Sequence, residues 1–262
     1  MSKKNIYQVD AFTDVAFKGN PAGVMILDSP MEEQLMQKIA NEMNLAETAF
    51  AYPVNDGYNL RWFTPEKEVK LCGHATLATA HIMWQAGFIK SDKIYFHTLS
   101  GILSAEKVGD HIQLNFPAIK GSNTNTKELV KAQLGVDLIG FAESDQGYMV
   151  IELNSSNEVK NFHPDSEKLL KIGDFVVIIT ARDKEYDFVS RVFAPAFGID
   201  EDPVTGSAHC MLATYWSHVL EKNLFNAYQA SKRGGQIKVL LDNDRVYLTG
   251  KAVTVIKGEI LF

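Results

Sequence analysis

Cysteine is scarce. Cys72 and Cys210 are the only two in 262 residues, too few for a disulfide framework, and their apolar neighbours point to reduced thiols. Positive charge is also short: 26 Lys and Arg against 32 Asp and Glu give a net charge of −6. No basic surface is therefore expected to neutralise a phosphate backbone, and nucleic acid is not an expected partner. The basic start Met1-Ser2-Lys3-Lys4 is not followed by the apolar run of a secretory signal, so the cytoplasm is the expected compartment. Gly-x-Gly-x-x-Gly, Walker and Cys-x-x-Cys patterns are all missing, and the seven histidines form no His-x-x-x-His pair. Nucleotide and zinc sites thus have no motif to rest on, and neither a cofactor nor a metal is expected.

Two stretches have no charge at all. Nineteen residues between Lys70 and Lys90, and eighteen between Asp202 and Glu221, contain no Asp, Glu, Lys or Arg. Each approaches the ~20 residues of a membrane span. However, His74, Thr76, Thr79, His81 and Gln85 dilute the first, as Ser207, His209, Thr214, Ser217 and His218 dilute the second. No membrane partner is expected. A helix weakly polar on every side and free of charge fits best as a central element wrapped by sheet.

The two stretches also begin alike, Gly73-His74-Ala75 against Gly206-Ser207-Ala208, an offset of 133. Upstream, Arg61-Trp62-Phe63-Thr64-Pro65 matches Arg191-Val192-Phe193-Ala194-Pro195 at 130; downstream, Gly101 to Ala118 lies over Gly235 to Ala252 at 134. Three blocks in order at nearly constant spacing indicate a duplicated half. The polar, turn-rich stretch Gly121 to Thr126 falls where a linker is required, which divides the chain into lobes 1–120 and 121–262. Ser29-Pro30-Met31-Glu32 reads as a capping box opening a helix to about Met43. Thr126 to Leu134 reads as a surface helix. Gly23 to Leu27, Thr48 to Val54, Phe175 to Thr180 and Asp187 to Phe193 read as strands.

Both uncharged helices open on glycine, Gly73 and Gly206, where unpaired amides and the positive end of the helix dipole favour an anion. Such helix starts suit a small carboxylic acid without an arginine clamp; ordinary helix capping is the plainer reading. Glu47 is the only charged residue between Glu42 and Asp56. A carboxylate among Leu45, Ala46 and Phe50 risks desolvation, which suits it to proton exchange near neutrality. His74 and Ser207 hold equivalent positions in the repeat, and Asp202 precedes Ser207 by five residues; each offers a hydrogen bond to an anion or a reacting proton. Taken singly, a buried histidine, a helix cap and an Asx turn explain them better. Cys72 near His74 raises a thiol nucleophile, but residues two apart on a helix do not face each other. Ser207 lacks the Gly-x-Ser-x-Gly elbow of a serine hydrolase.

The strings DAFTDVAFKGNPAGV (Asp10 to Val24), NLAETAF (Asn44 to Phe50), LRWFTPEKEVKLCGHATLA (Leu60 to Ala78) and SRVFAPAFGIDEDPVTGSAH (Ser190 to His209) resemble the PhzF family of phenazine-biosynthesis-like isomerases. The resemblance implies an α+β, diaminopimelate-epimerase-like fold of two pseudo-symmetric lobes, each a mixed sheet wrapped around a central helix. It places the family's catalytic glutamate on Glu47 and its partners on His74, Asp202 and Ser207. It implies a cofactor-independent isomerase that moves a proton at carbon in a small carboxylic acid, and a homodimer. The related epimerases use one cysteine per lobe. Here Cys72 flanks the first helix, but Cys210 lies deeper in the second, which disfavours a two-thiol racemase. An epimerase on the same fold and a non-catalytic metabolite-binding protein stand as alternatives.

Overall fold

Strand β1 (Lys3–Ala11) pairs antiparallel with β2 (Asn20–Ile26). Helix α1 (Glu33–Met43) then carries the chain back, so that β3 (Glu47–Val54) lies parallel to β2. Strand β4 (Gly57–Phe63) pairs antiparallel with β3 and with the short β5 (Glu68–Val69). After helix α2 (Gly73–Gln85), β6 (Lys93–Thr98) lies parallel to β4, and β7 (Gly101–Val108) and β8 (His111–Pro117) complete a meander. These elements belong to a computed structural model that describes residues 3–262.

The capping box does not form. Helix α1 begins at Glu33, after an N-cap Glu32 whose side chain makes no capping bond. Met31, partly buried, instead packs against the apolar cluster of Met25, Met36, Ile39, Phe50 and Phe63. Residues 31 and 36 stand at the two positions of a hydrophobic staple around the cap, so apolar burial sets the helix entry. Phe50 and Phe63 meet edge to face at 5.7 Å in this core.

The next stretch repeats the plan. Helix α3 (Thr126–Leu134) is followed by β9 (Leu138–Glu143) and β10 (Tyr148–Leu153), an antiparallel pair like β1 and β2. Two short helices, α4 (Ser156–Lys160) and α5 (Ser166–Ile172), replace α1, and β11 (Val176–Arg182) runs parallel to β10. Strand β12 (Phe188–Ala194) is antiparallel to β11 and to β13 (Ile199–Asp202). Helix α6 (Gly206–Leu220) precedes β14 (Leu224–Gln229), which is parallel to β12, then β15 (Gly235–Asp242) and β16 (Arg245–Gly250).

The repeat extends to side chains. Arg61 on β4 holds Glu68 through Nε and Nη2 at 2.6 and 2.7 Å, with its guanidinium 5.1 Å over the Phe63 ring. Arg191 on β12 holds Glu201 at 2.7 and 2.9 Å and lies 5.1 Å over Phe193. The arginine-to-glutamate spacing is seven residues in one and ten in the other, which accounts for the three-residue change of offset along the sequence.

The last strand, β17 (Ala252–Leu261), pairs antiparallel with β1 from Lys3↔Leu261 to Ala11↔Ala252. The chain forms two compact units, Met1–Asn115 with Thr249–Phe262, and Phe116–Leu248. The first unit therefore takes back the final strand, which a division into 1–120 and 121–262 assigns to the second. The pairing partner of β17 is long and N-terminal, and sequence similarity between halves says nothing about it.

Both uncharged helices are buried. In α2 every residue from Gly73 to Ala80 is buried, as are Ile82 and Met83. In α6 burial covers Gly206, Ala208 to Ala213 and Trp216. Their threonines are satisfied by the helix itself: Thr76 Oγ1 donates to the Cys72 carbonyl at 2.5 Å and Thr79 Oγ1 to that of Ala75 at 2.7 Å.

The two bidentate pairs differ in kind from a surface ion pair such as Lys251 with Asp14 and Asp110. The Arg191 side chain is 11% exposed, and its Nη1 also donates to the Phe162 carbonyl. Arg191→Met keeps the packing over Phe193 but strands Glu201 and that carbonyl, and is expected to lower the unfolding free energy in urea by about 2–3 kcal/mol. Lys251→Met should leave the urea midpoint unchanged. Equal midpoints for the two variants would contradict this assignment.

Candidate active site

Glu47 is the first residue of β3. It pairs with Ala22 on β2, whereas the ladder to β4 starts one residue later at Thr48↔Phe63. The glutamate side chain therefore stands at the rim of the sheet, 13% exposed. His74 is the second residue of α2, with Gly73 the first. Its Nε2 lies 3.1 Å from Glu47 Oε2, within ion-pair reach. The ring N–H does not point along that line, and Oε2 has no aligned hydrogen-bond partner among the described residues.

The other face of the ring is held by Asn20, fully buried at the start of β2, whose Nδ2 lies 3.1 Å from His74 Nδ1. With the amide in this orientation, a neutral imidazole carries its proton on Nε2, the nitrogen nearer the carboxylate though not aligned with it. Gly19 makes the approach to Asn20 possible: its φ is +62°, and a Cβ there would collide with the Ala11 carbonyl.

Cys72 completes the group. Its Sγ lies 3.5 Å from His74 Nδ1 and 4.0 Å from Nε2. The two side chains meet in spite of their spacing because Cys72 is the N-cap, with an extended backbone of φ −146° and ψ 113°, and is not on the helix. The helical rule that keeps residues two apart from facing each other does not apply to it. Burial pushes the thiol up to about 11, reinforced by Glu47, so the sulfur is protonated at neutral pH. For His74, burial opposes the charged ring, but with the thiol neutral the Glu47 carboxylate beside it holds the imidazole above its ordinary range. Carboxylate oxygen, thiol sulfur and imidazole nitrogen lie within 4.8 Å of one another, a donor set a divalent cation could use once the thiol released its proton.

In the second unit, Asp202 ends β13 and Ser207 is the second residue of α6, after Gly206. Asp202 Oδ2 accepts a 2.5 Å hydrogen bond from Thr205 Oγ1. Thr205 is itself held by Gln229: the Thr205 amide donates to Gln229 Oε1 at 2.8 Å. Ser207 lies beside Tyr148, whose phenol is raised by burial and so stays neutral. His209 donates from Nδ1 to the Thr205 carbonyl at 2.8 Å; burial pushes it down to about 4, and it is a neutral core histidine.

The structure thus places Glu47 and His74 in contact within the first unit, and Asp202 and Ser207 on the two sides of the α6 start within the second. Asn20, Tyr148, Thr205 and Gln229 escape a reading of the sequence. Asn20 lies inside the string from Asp10 to Val24, where its burial could be suspected; Gln229 carries no sequence signal.

The two units share one succession of strands around a buried helix, and the same fold occurs in a hydroxyproline epimerase of Agrobacterium vitis at a TM-score of 0.62, 12% identity, and coverage of 98% of this chain and 92% of that one. The model of the phenazine biosynthesis-like protein family matches residues 9–258, and the chain belongs to that family. A crystal structure of a PhzF-family protein from Enterococcus faecalis matches at a TM-score of 0.93 with 38% identity, covering all of both chains. An uncharacterized isomerase of Halalkalibacterium halodurans is 50% identical over 261 residues, 98% of each chain. Among the described residues, no helix is long and apolar enough to cross a membrane.

The His74 ring is expected to titrate above 6.5 by imidazole NMR, and Glu47→Gln should lower that midpoint. A folded pKa above the unfolded value gives stability that is complete below about pH 6.5 and is lost as pH rises through the folded midpoint. His74→Gln should therefore cost more stability at pH 6 than at pH 9. A wild-type midpoint at or below 6.5 would contradict the contact.

Proposed function

We propose that this protein is a cofactor-independent isomerase that moves a proton at carbon in a small carboxylic acid, with Glu47 as the general acid and base. One observation carries the reading: a nearly buried carboxylate whose Oε2 is 3.1 Å from His74 but makes no aligned hydrogen bond. Such an oxygen keeps a lone pair available for a proton from carbon. The family membership and the isomerase name of a 50% identical relative support the class of reaction.

In this reading His74, held above its ordinary pKa, stabilises the carboxylate and orients it, and Asn20 fixes the ring from behind. Asp202 and Ser207 position the substrate, and the first amides of α2 and α6, at Gly73 and Gly206, favour its carboxylate. A proton transfer by one placed group contributes roughly 10²–10⁴ in rate, so positioning supplies much of the remainder. A second copy of the chain completes a homodimer.

Cys72, in contact with His74, favours one second reading, an epimerase in which the thiol handles the proton. Its raised pKa makes it a weak acid and leaves little thiolate to act as a base at neutral pH.

The test is incubation in deuterated water with a panel of cyclic and acyclic amino and hydroxy acids, read by mass spectrometry. Deuterium uptake at carbon is expected for at least one acid and should fall by at least about 10² in Glu47→Gln. Uptake indifferent to that change but lost in Cys72→Ala would move the assignment to the thiol. Tight binding without uptake for every acid would make the protein a metabolite binder.

A further inference from the structure

Gln229 is the last residue of β14 and has no solvent exposure. Its backbone is committed to the sheet, opposite Ser190 on β12 and Gly235 on β15. Its side chain spans both ends of the turn from Asp202 to Thr205. Nε2 donates to the Asp202 carbonyl at 2.7 Å and to Thr205 Oγ1 at 3.2 Å, and Oε1 accepts from the Thr205 amide at 2.8 Å. Both amide protons and the amide oxygen are thus used. Pro203, inside the turn, has no N–H of its own, and its carbonyl accepts from Ser231 Oγ at 2.8 Å.

We propose that Gln229 is a positioning residue that aims the Asp202 carboxylate, acting through Thr205. The inference rests on the substrate-positioning role given to Asp202 above. Proton direction decides it. A threonine hydroxyl has one proton to give, and its rotor is otherwise free. Because Gln229 Nε2–H donates into Thr205 Oγ1, the hydroxyl acts as an acceptor toward Gln229 and sends its own proton to Asp202 Oδ2, the 2.5 Å bond. Capping the turn requires only the bonds to the Asp202 carbonyl and the Thr205 amide. The third bond has no role in the backbone, and its effect is to orient the hydroxyl toward the carboxylate. The first unit lacks the device: Thr98, the last residue of β6 and the counterpart of Gln229, donates locally to the Gly101 carbonyl at 2.7 Å.

The test combines turnover with amide exchange on the full chain. Gln229→Met keeps the volume and removes all three bonds; Thr205→Val removes only the relay hydroxyl and serves if the first variant does not fold. Either should lower deuterium uptake by the best acid of the panel about tenfold, whereas Thr205→Ser should retain wild-type uptake. In an Asp202→Asn background neither substitution should cost anything further, because the group they position is already gone. A loss that persists undiminished in that background overturns the inference.

Amide hydrogen exchange needs no substrate. The Thr205 amide should exchange at least tenfold faster in Gln229→Met, with the amides of β15 unchanged. Unchanged Thr205 protection overturns the inference even if uptake falls. Should the wild type take up deuterium from no acid, the Glu47 reading fails by itself, and the Thr205 amide still decides whether the clamp exists.

Discussion

The constraint on which this structure depends is the burial of most of two helices. A buried stretch of helix cannot readily carry a charge, since each unpaired charge would cost several kcal/mol to desolvate. Its polar side chains are satisfied by its own backbone, as Thr76, Thr79 and His209 Nδ1 are, or by a neighbouring element, as Thr214 and Trp216 are. The starting end is the exception. There the first backbone amides have no partner within the helix, and the chain entering the helix brings polar side chains with it. Glu47 and Cys72 meet His74 at the start of α2, and Asp202 and Ser207 flank the start of α6.

The two units solve the same scaffold problem identically and then diverge. Each clamps its central hairpin with an arginine that grips a glutamate in bidentate fashion and covers a phenylalanine two residues on. Each opens its buried helix on glycine. The groups gathered beyond that glycine differ: His74 with Glu47, Cys72 and Asn20 in one, Ser207 with Tyr148, and Asp202 with Thr205 and Gln229, in the other. The position of Glu47, paired with Ala22 on β2, corresponds to Val176, paired with Tyr148 on β10. One unit thus puts a carboxylate on the central strand where the other puts an apolar residue and moves its polar group to the neighbouring strand. Stability is served by features the halves share, and chemistry by those they do not.

Much of this is legible in the sequence because duplication and charge depletion leave long patterns. The uncharged runs mark both central helices, the strand runs fall within three residues of their observed bounds, and Glu47 is conspicuous as a lone charge among apolar neighbours. The failures share a cause. The capping box at Ser29 is a sound local signal that loses to the packing of Met31 against the core. The Cys72–His74 contact is hidden by a helical rule that an N-cap residue does not obey. Strand β17 leaves the second half because its partner is β1, some 240 residues away, a pairing no local pattern encodes. Gln229 is invisible for the same reason: a buried side chain bridging a turn 24 residues upstream has no period and no motif.

The protons of the first unit obey the same burial. Cys72 loses solvent and keeps its proton, which lowers its nucleophilicity, although it lies at the helix start where a thiol would usually be activated by the dipole. His74 is buried as fully, yet its charge is favoured by the Glu47 carboxylate 3.1 Å away, the same charge that disfavours a thiolate. Desolvation opposes the charged form of both neighbours, and the carboxylate favours one and disfavours the other. A protonated thiol and a ring turned toward the carboxylate leave Glu47 Oε2 as the acceptor in the group without an aligned donor. Burial thus leaves a carboxylate oxygen with an uncommitted lone pair beside a cysteine that keeps its proton.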